Sequence, residues 1–374
     1  MKIVHILPRF DTGGGEKFCI DMCNELAKDK NNEVYLCVIS EILDTEILAQ
    51  KVDRELVNLV PLNKKSSGTS FKTFIDMYKF LKEIKPDITH THLRAQVYGS
   101  LPLILLGIPN IHTIHNMAQK ETGAKVRSFY KFLYKNFKFT PVSISDEVLD
   151  STKEVYGEEF DVKIDNGAKA LKKTSEYSEV EKFVEDLRNS SDTKIFISVA
   201  RLMPQKNILM MIEAFEQLIS QGYDIHLLLV GSFLEDKEYA DKCIANIVSK
   251  NRIHILGEKL NVSDYMYNSD ALVMSSIYEG MPIIILEAMS AGIPILSTPV
   301  GGVPDTIVED VNGYLSSDVS TQSFIEIIKK FLDKSSLFEP SKIVDIFEEN
   351  YSIESTVKKY YSLYESKVSR VLKK

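Results

Sequence analysis

Short apolar runs alternate with amphipathic stretches along this chain, and the alternation happens twice. In the first half, residues 2–7, 34–39, 87–90 and 111–114 read as strands, and residues 16–28, 71–84 and 125–135 as helices. The pattern loosens over the polar stretch 169–193, which follows the turn signal Asn166-Gly167. It then restarts with strands over 195–200, 226–230, 253–256, 271–274 and 295–297, and helices over 209–219 and 283–290. Strands that alternate with helices predict parallel sheets covered on both faces. The 374 residues suit two domains at roughly 100–200 residues each. A last helix is predicted over about 355–374, where Val357, Tyr360, Tyr361 and Tyr364 stand three to four apart.

Charge and cysteine usage exclude several classes of function. A net charge of −8 argues against nucleic acid as a partner. The charge is uneven: residues 62–138 hold 13 Lys/Arg against 4 Asp/Glu, a local balance of +9. Such a segment is either a solvated helical surface or a site for an anionic acceptor or membrane face. Cys19, Cys23, Cys37 and Cys243 form no Cys-x-x-Cys pair, so reduced, buried thiols and a cytoplasmic location are expected. The opening strand runs directly into a glycine loop and does not read as a signal peptide. The apolar stretch 101–109 is too short to span a bilayer.

Ligands of open α/β sheets sit at the carboxyl ends of strands, and three strand-to-helix loops carry unusual residues. The first is Asp11-Thr12-Gly13-Gly14-Gly15. Its glycines let backbone approach a pyrophosphate at a helix N-terminus, although a plain tight turn has the same composition. The second runs from Ala200 to Asn207 and brings Arg201 and Lys206 to the mouth of a sheet. One cation binds a diphosphate bidentately and the other acts as a point charge. The third runs from Tyr278 to Glu287. Pro282 marks the first turn of a helix, Glu279 precedes it and Glu287 lies inside it. A carboxylate there accepts from sugar hydroxyls, and the amides of Gly280, Met281, Pro282 and Ile283 frame the same place; Pro282 itself has no N–H to give. Histidines gather in the first half at His90, His92, His112 and His115. No cysteine or carboxylate cluster accompanies them, so a metal site is not expected. His112 is expected to pack in the core, and His115, before Asn116 at a strand end, to face the cleft.

Taken together these loops resemble the retaining glycosyltransferases of the large bacterial group called family 4. The resemblance is strongest over residues 195–315. It rests on Ala200-Arg201-Leu202 with Lys206, on the seven-residue gap between Glu279 and Glu287, and on Glu287-Ala288-Met289-Ser290-Ala291-Gly292-Ile293-Pro294. Gly301-Gly302-Val303-Pro304-Asp305 and Asn312-Gly313-Tyr314-Leu315 add to it. Ala200 stands where a glycine is common. The first half matches more loosely, through Gly13–Gly15, residues 87–92 and His112-Thr113-Ile114-His115-Asn116.

The resemblance implies an α/β protein of GT-B fold, with two Rossmann-like doubly wound parallel-sheet domains facing across a cleft. It implies an acceptor-binding domain over 1–168 plus the helix at about 355–374, a linker over 169–193, and a nucleotide-sugar domain over 194–354. Arg201 and Lys206 then hold the donor diphosphate, Glu287 the ribose hydroxyls, and Glu279 the transferred sugar together with Gly280, Met281, Pro282 and Ile283. Gly14 and Gly15 resemble the loop that closes on the pyrophosphate, and His115 the residue beside the anomeric centre.

The expected reaction moves a hexose or N-acetylhexosamine from a nucleotide sugar, UDP favoured over GDP, to a glycan or lipid-linked acceptor. Bacterial surface polysaccharide is the expected setting. There is no Asp-x-Asp, so side-chain cations are expected in place of a metal, and no cofactor. Residues 125–138, where Lys125, Arg127, Lys131, Lys135 and Lys138 interleave with Phe129, Tyr130, Phe132 and Tyr134, are the candidate contact for an anionic membrane. A nucleotide-sugar epimerase, a phosphorylase and a noncatalytic binding partner are the competing readings.

Overall fold

The structure, a computed structural model, describes residues 1–10, 13–43, 48–65, 68 and 70–372. Asp11 and Thr12 of the glycine loop therefore lie outside the described residues.

The chain forms two units, Met1–Ala168 with Tyr351–Lys374, and Lys169–Asn350. In the first unit, strands β1 (Lys2–Leu7), β2 (Glu33–Ser40), β3 (Val57–Lys64), β4 (Ile88–His92), β5 (Asn110–Ile114) and β6 (Phe139–Ser143) form one sheet in the order β3-β2-β1-β4-β5-β6. In the second, β7 (Lys194–Val199), β8 (Ile225–Val230), β9 (Ile253–Gly257), β10 (Ala271–Met274), β11 (Ile295–Ser297) and β12 (Gly313–Leu315) lie in the order β12-β11-β10-β7-β8-β9. All strand pairs are parallel. Counted within each unit, both orders are 3-2-1-4-5-6, the doubly wound arrangement of dinucleotide-binding domains. The order reverses between β1 and β4 in one sheet and between β7 and β10 in the other, which opens a crevice at the carboxyl ends of those strands.

The central strands form because they are buried on both faces and need no alternation. β8 is buried throughout, as are β4, β5 and β10. In the second unit Phe196 packs edge-to-face with Phe215 and Phe331, at centroid distances of 5.3 and 5.6 Å. Leu227, Leu229, Met211 and Phe324 complete that core, each worth about 1.5–3 kcal/mol when fully buried.

Three strands of the structure were not expected from sequence: β3, β6 and β12. All three are edge strands. β3 and β6 carry Pro61 and Pro141, and β3 is mostly half-exposed, so neither shows a continuous apolar run. The stretch 169–193, expected as a linker, also differs. It holds a helix, Tyr177–Leu187, whose Val180 and Val184 are buried, and it belongs to the second unit. Thr174 ties it down by bonding the Asp264 carboxylate through its amide, at 2.8 Å, and its hydroxyl. The second unit ends at Asn350 rather than 354. The chain then returns to the first unit through Ala168 N–H to Tyr351 O and Ile353 N–H to Ala168 O, both 2.9 Å. The helix Ile353–Leu372 follows and packs on the helix Gly14–Leu26. Among the described residues no helix is long and apolar enough to cross a membrane.

Candidate active site

At the reversal point of the second sheet, two loops are stitched together. After β7 the chain makes a turn at Pro204–Lys206, and Asn207 adopts φ 52° before the helix Ile208–Ser220 begins. Ser275, just past β10, donates its hydroxyl to the carbonyls of Lys206 (2.8 Å) and Asn207 (3.1 Å). Ile277 N–H reaches Gln205 O at 2.9 Å, and the Gln205 amide reaches Tyr278 O at 3.0 Å. These bonds fix the direction of Lys206. Its ammonium lies 2.6 Å from Glu279 Oε1, which also accepts from the Ser276 hydroxyl at 2.6 Å. Thr298 donates to Ser276 O at 2.7 Å and anchors that loop to the end of β11. A small pocket at the ends of β7 and β10 is lined by Ser198, Ala200, Lys206, Met274, Ser275 and Ser276 among others.

Two glycines make this close approach possible. Gly231 (φ 149°) lies so near the Ala200 carbonyl that a side chain would overlap it. Gly301 (φ 60°) stands likewise against the Glu279 and Gly280 carbonyls, pressing the Gly301-Gly302 loop onto the Glu279 loop.

Pro282 caps the helix Ile283–Ser290 instead of occupying its first turn, one residue from the expected place. Gly280, Met281 and Ile283 are buried around it, and Glu287 is buried within a helix that is apolar apart from Ser290. Arg201 meets the loop that follows β8. Its guanidinium makes two contacts with Glu235, at 3.0 and 2.8 Å, and both side chains are more than a third exposed. Glu235, Ser275 and Ser276 had not been picked out from sequence. The signal for Glu235 was present: it follows β8, which pairs with β7, so its loop opens beside Arg201.

The reversal point of the first sheet is built from rings. Gly15, in the first turn of the helix Gly14–Leu26, lies against the His115 imidazole, where an added Cβ would stand 3.3 Å from the ring. Gly14 is exposed, and Glu16 of the same turn is buried. His115 Nε2 lies 3.1 Å from His92 Nδ1, and His92 Nε2 lies 3.1 Å from His5 Nδ1. His5 does not stand out in the sequence because its partners His92 and Tyr364 are 87 and 359 positions away. It also brings in a thiol, with Cys19 Sγ at 3.8 Å. His5, Cys19 and Cys23 thus lie close together, and His5, His90 and His92 form a second close group. His90 bonds Tyr364 at 2.6 Å and Thr113 at 2.7 Å. His112 is fully buried. Burial above all, then neighbouring imidazoles, hold His90 and His92 well below the ordinary histidine range. Burial and then His112 hold His115 at about 3. All three rings are therefore neutral at pH 7.

The basic segment divides into two faces. On the helix Ala124–Asn136, Tyr130, Leu133 and Tyr134 are buried, while Phe129 and Phe132 are 40% and 53% exposed. Arg127 is spent on the Gln119 and Thr122 carbonyls, both 2.6 Å away, and Lys131 on Val155 O. Lys135 pairs with Glu159 at 3.3 Å.

Both halves of the chain match known families. The family described as glycosyltransferase family 4 matches residues 12–164, and glycosyl transferases group 1 matches residues 179–343. An Escherichia coli protein, UDP-Gal:alpha-D-GlcNAc-diphosphoundecaprenol alpha-1,3-galactosyltransferase, is 29% identical over 291 residues, which is 75% of this chain and 73% of that protein. The Staphylococcus aureus capsular polysaccharide biosynthesis glycosyltransferase CapM is 24% identical over 329 residues, 84% of each chain. Among solved structures, that of HepE from Anabaena in complex with UDP and glucose has a TM-score of 0.81 at 18% identity, covering 98% of this chain and 100% of that one, a likeness of fold. With the two family matches covering both units, this chain belongs to the family 4-type glycosyltransferases of GT-B fold.

Proposed function

We propose that the chain is a retaining, metal-independent glycosyltransferase. In this reading it moves a hexose or N-acetylhexosamine from a UDP-sugar to a glycan or lipid-linked acceptor of a bacterial surface polysaccharide. The observation that carries the reading is Lys206, a partly buried cation held at the carboxyl end of β7 and bonded to Glu279 at 2.6 Å. Departure of a nucleoside diphosphate builds negative charge on the β-phosphate. A cation fixed beforehand stabilises that charge without reorganising. Lys206 is the point charge in this role. Arg201 supplies the two-pronged contact once it leaves Glu235. Glu279, with the backbone around Gly280, Met281, Pro282 and Ile283, takes the hydroxyls of the sugar, and Glu287 those of the ribose. Gly14, Gly15 and His115 keep the roles that the family resemblance gives them.

The UDP-sugar and the lipid-linked acceptor are supported by the name of the Escherichia coli relative, a galactosyltransferase acting from UDP-Gal on a diphosphoundecaprenol. The exposed Phe129 and Phe132 beside Lys125 and Lys135 suit peripheral contact with an anionic membrane. The testing experiment is a panel of UDP- and GDP-sugars scored for nucleotide release with and without a diphospholipid-linked sugar. Acceptor-dependent release from a UDP-hexose is expected, with an NMR spectrum showing the donor's anomeric configuration in the product. Release from GDP-sugars alone, or an inverted linkage, contradicts the corresponding part of the reading.

A further inference from the structure

Four histidines of the first unit, His5, His90, His92 and His115, are linked through Tyr364 in a line with an inner end and an outer end. The inner end is Tyr364 on the C-terminal helix, fully buried, with its hydroxyl 2.6 Å from His90 Nδ1 and 3.5 Å from His5 Nε2. The line then passes from His5 Nδ1 to His92 Nε2 and from His92 Nδ1 to His115 Nε2, at 3.1 Å each. The outer end is the remaining nitrogen of His115, Nδ1, beside Gly15 in the first turn of its helix.

A neutral imidazole carries one proton, so one nitrogen donates and the other accepts. In a line of such rings the direction at one end fixes the direction at every other. Tyr364 has a single proton to give. A separation of 2.6 Å suits a hydroxyl donating, being shorter than the usual N–H contact. With its proton on His90 Nδ1, Tyr364 can only accept from His5, so His5 carries its proton on Nε2. His5 Nδ1 then accepts from His92 Nε2–H, and His92 Nδ1 accepts from His115 Nε2–H. The outer end agrees with this direction. The first turn of a helix presents unpaired N–H groups and partial positive charge, which favour a bare ring nitrogen over a second N–H.

We propose that Tyr364 is a positioning residue that sets the tautomer of His115 through His5 and His92, so that His115 offers Nδ1 as a hydrogen-bond acceptor for a hydroxyl of the bound sugar or acceptor. The last clause rests on His115 belonging to the active site; the tautomer assignment does not. The C-terminal helix thereby acts on the reaction from a distance.

The test is ¹⁵N NMR of histidine-labelled protein, which distinguishes the two tautomers and has only 7 histidines to assign. Wild type is expected to show His115 protonated at Nε2; a proton at Nδ1 overturns the proposal without any variant. Tyr364→Phe keeps the buried ring and removes the hydroxyl. It is expected to introduce the Nδ1–H form of His115 and to lower kcat roughly 2- to 12-fold at unchanged donor KM, since one neutral hydrogen bond is worth about 0.5–1.5 kcal/mol. An unaltered His115 tautomer in Tyr364→Phe overturns the role of Tyr364. Full activity in His115→Ala removes His115 from the active site and leaves the tautomer result standing, so the two failures are told apart.

Discussion

The two sheets share one strand order and use the place where it reverses in opposite ways. In the second unit the crevice between β7 and β10 is charged: Lys206 meets Glu279, serines tie down the loops, and a small pocket remains. In the first unit the crevice between β1 and β4 is filled by imidazoles bonded to one another and to the buried Tyr364, with the buried Tyr360 bonded to Thr113 beside them. The same topology thus supplies fixed charge on one side and directed, uncharged hydrogen bonding on the other. Topology decides where a ligand can sit, and the side chains at the strand ends decide what chemistry it meets.

Acid breaks this comparison most severely. His90, His92 and His115 stay unprotonated in the fold, while the unfolded chain takes up protons below about pH 6.5. Their contribution is therefore full above that pH and is lost on the way down, toward about 3 for His115. Three such groups give a slope of up to about 4 kcal/mol per pH unit. His226 of the second unit, held at about 4 by burial and then Arg252, adds to the same trend. Thermal melts between pH 7.5 and 5 are expected to show a steep fall in midpoint. A flat profile means that the imidazoles are already charged in the fold.

Removing a cation tests the charged side. Lys206→Ala is expected to lower kcat by about 10²–10³, with Arg201→Ala close behind, as loss of a preorganised charge-stabilising group does. Measured by UDP release, an unchanged rate takes that residue out of the role. A smaller effect is expected at Glu235, whose carboxylate occupies the guanidinium of Arg201. Exposed pairs of this kind are worth about 0.2–1 kcal/mol. Glu235→Gln is therefore expected to lower the donor KM by up to about fivefold with kcat little changed; a raised KM would mean that the pair holds Arg201 ready. The mildest change belongs to the surface. Lys125→Gln is expected to reduce pelleting with anionic liposomes about fivefold, at about 1 kcal/mol per cation, with neutral liposomes as the control. Equal pelleting makes the helix Ala124–Asn136 an ordinary solvated surface.

The sequence made the charged crevice more legible than the neutral one, for a physical reason. A loop leading into a helix is local, so Arg201, Lys206, Glu279 and Glu287 declare themselves by spacing. The histidine line is built from pairs 23 and 87 positions apart, and its tyrosine, Tyr364, comes from the last helix, 274 positions beyond His90. The spacing of Tyr360 and Tyr364 shows a helix with one apolar face but not the rings that its hydroxyls meet. The strands missed were those at sheet edges, where exposure and proline erase the apolar run. The stretch 169–193 reads as a linker because its composition is polar, yet two buried valines are enough to seat its helix on the second unit.

The most direct test asks whether the charged crevice activates the donor by itself. UDP release from the best donor is measured at saturating acceptor in excess EDTA and again with Mn²⁺ or Mg²⁺, on wild type and on Lys206→Ala. Equal wild-type rates in EDTA and metal, with the loss confined to the variant, are expected. Activity abolished by EDTA and restored by Mn²⁺ would contradict the assignment of the leaving-group charge to Lys206 and Arg201.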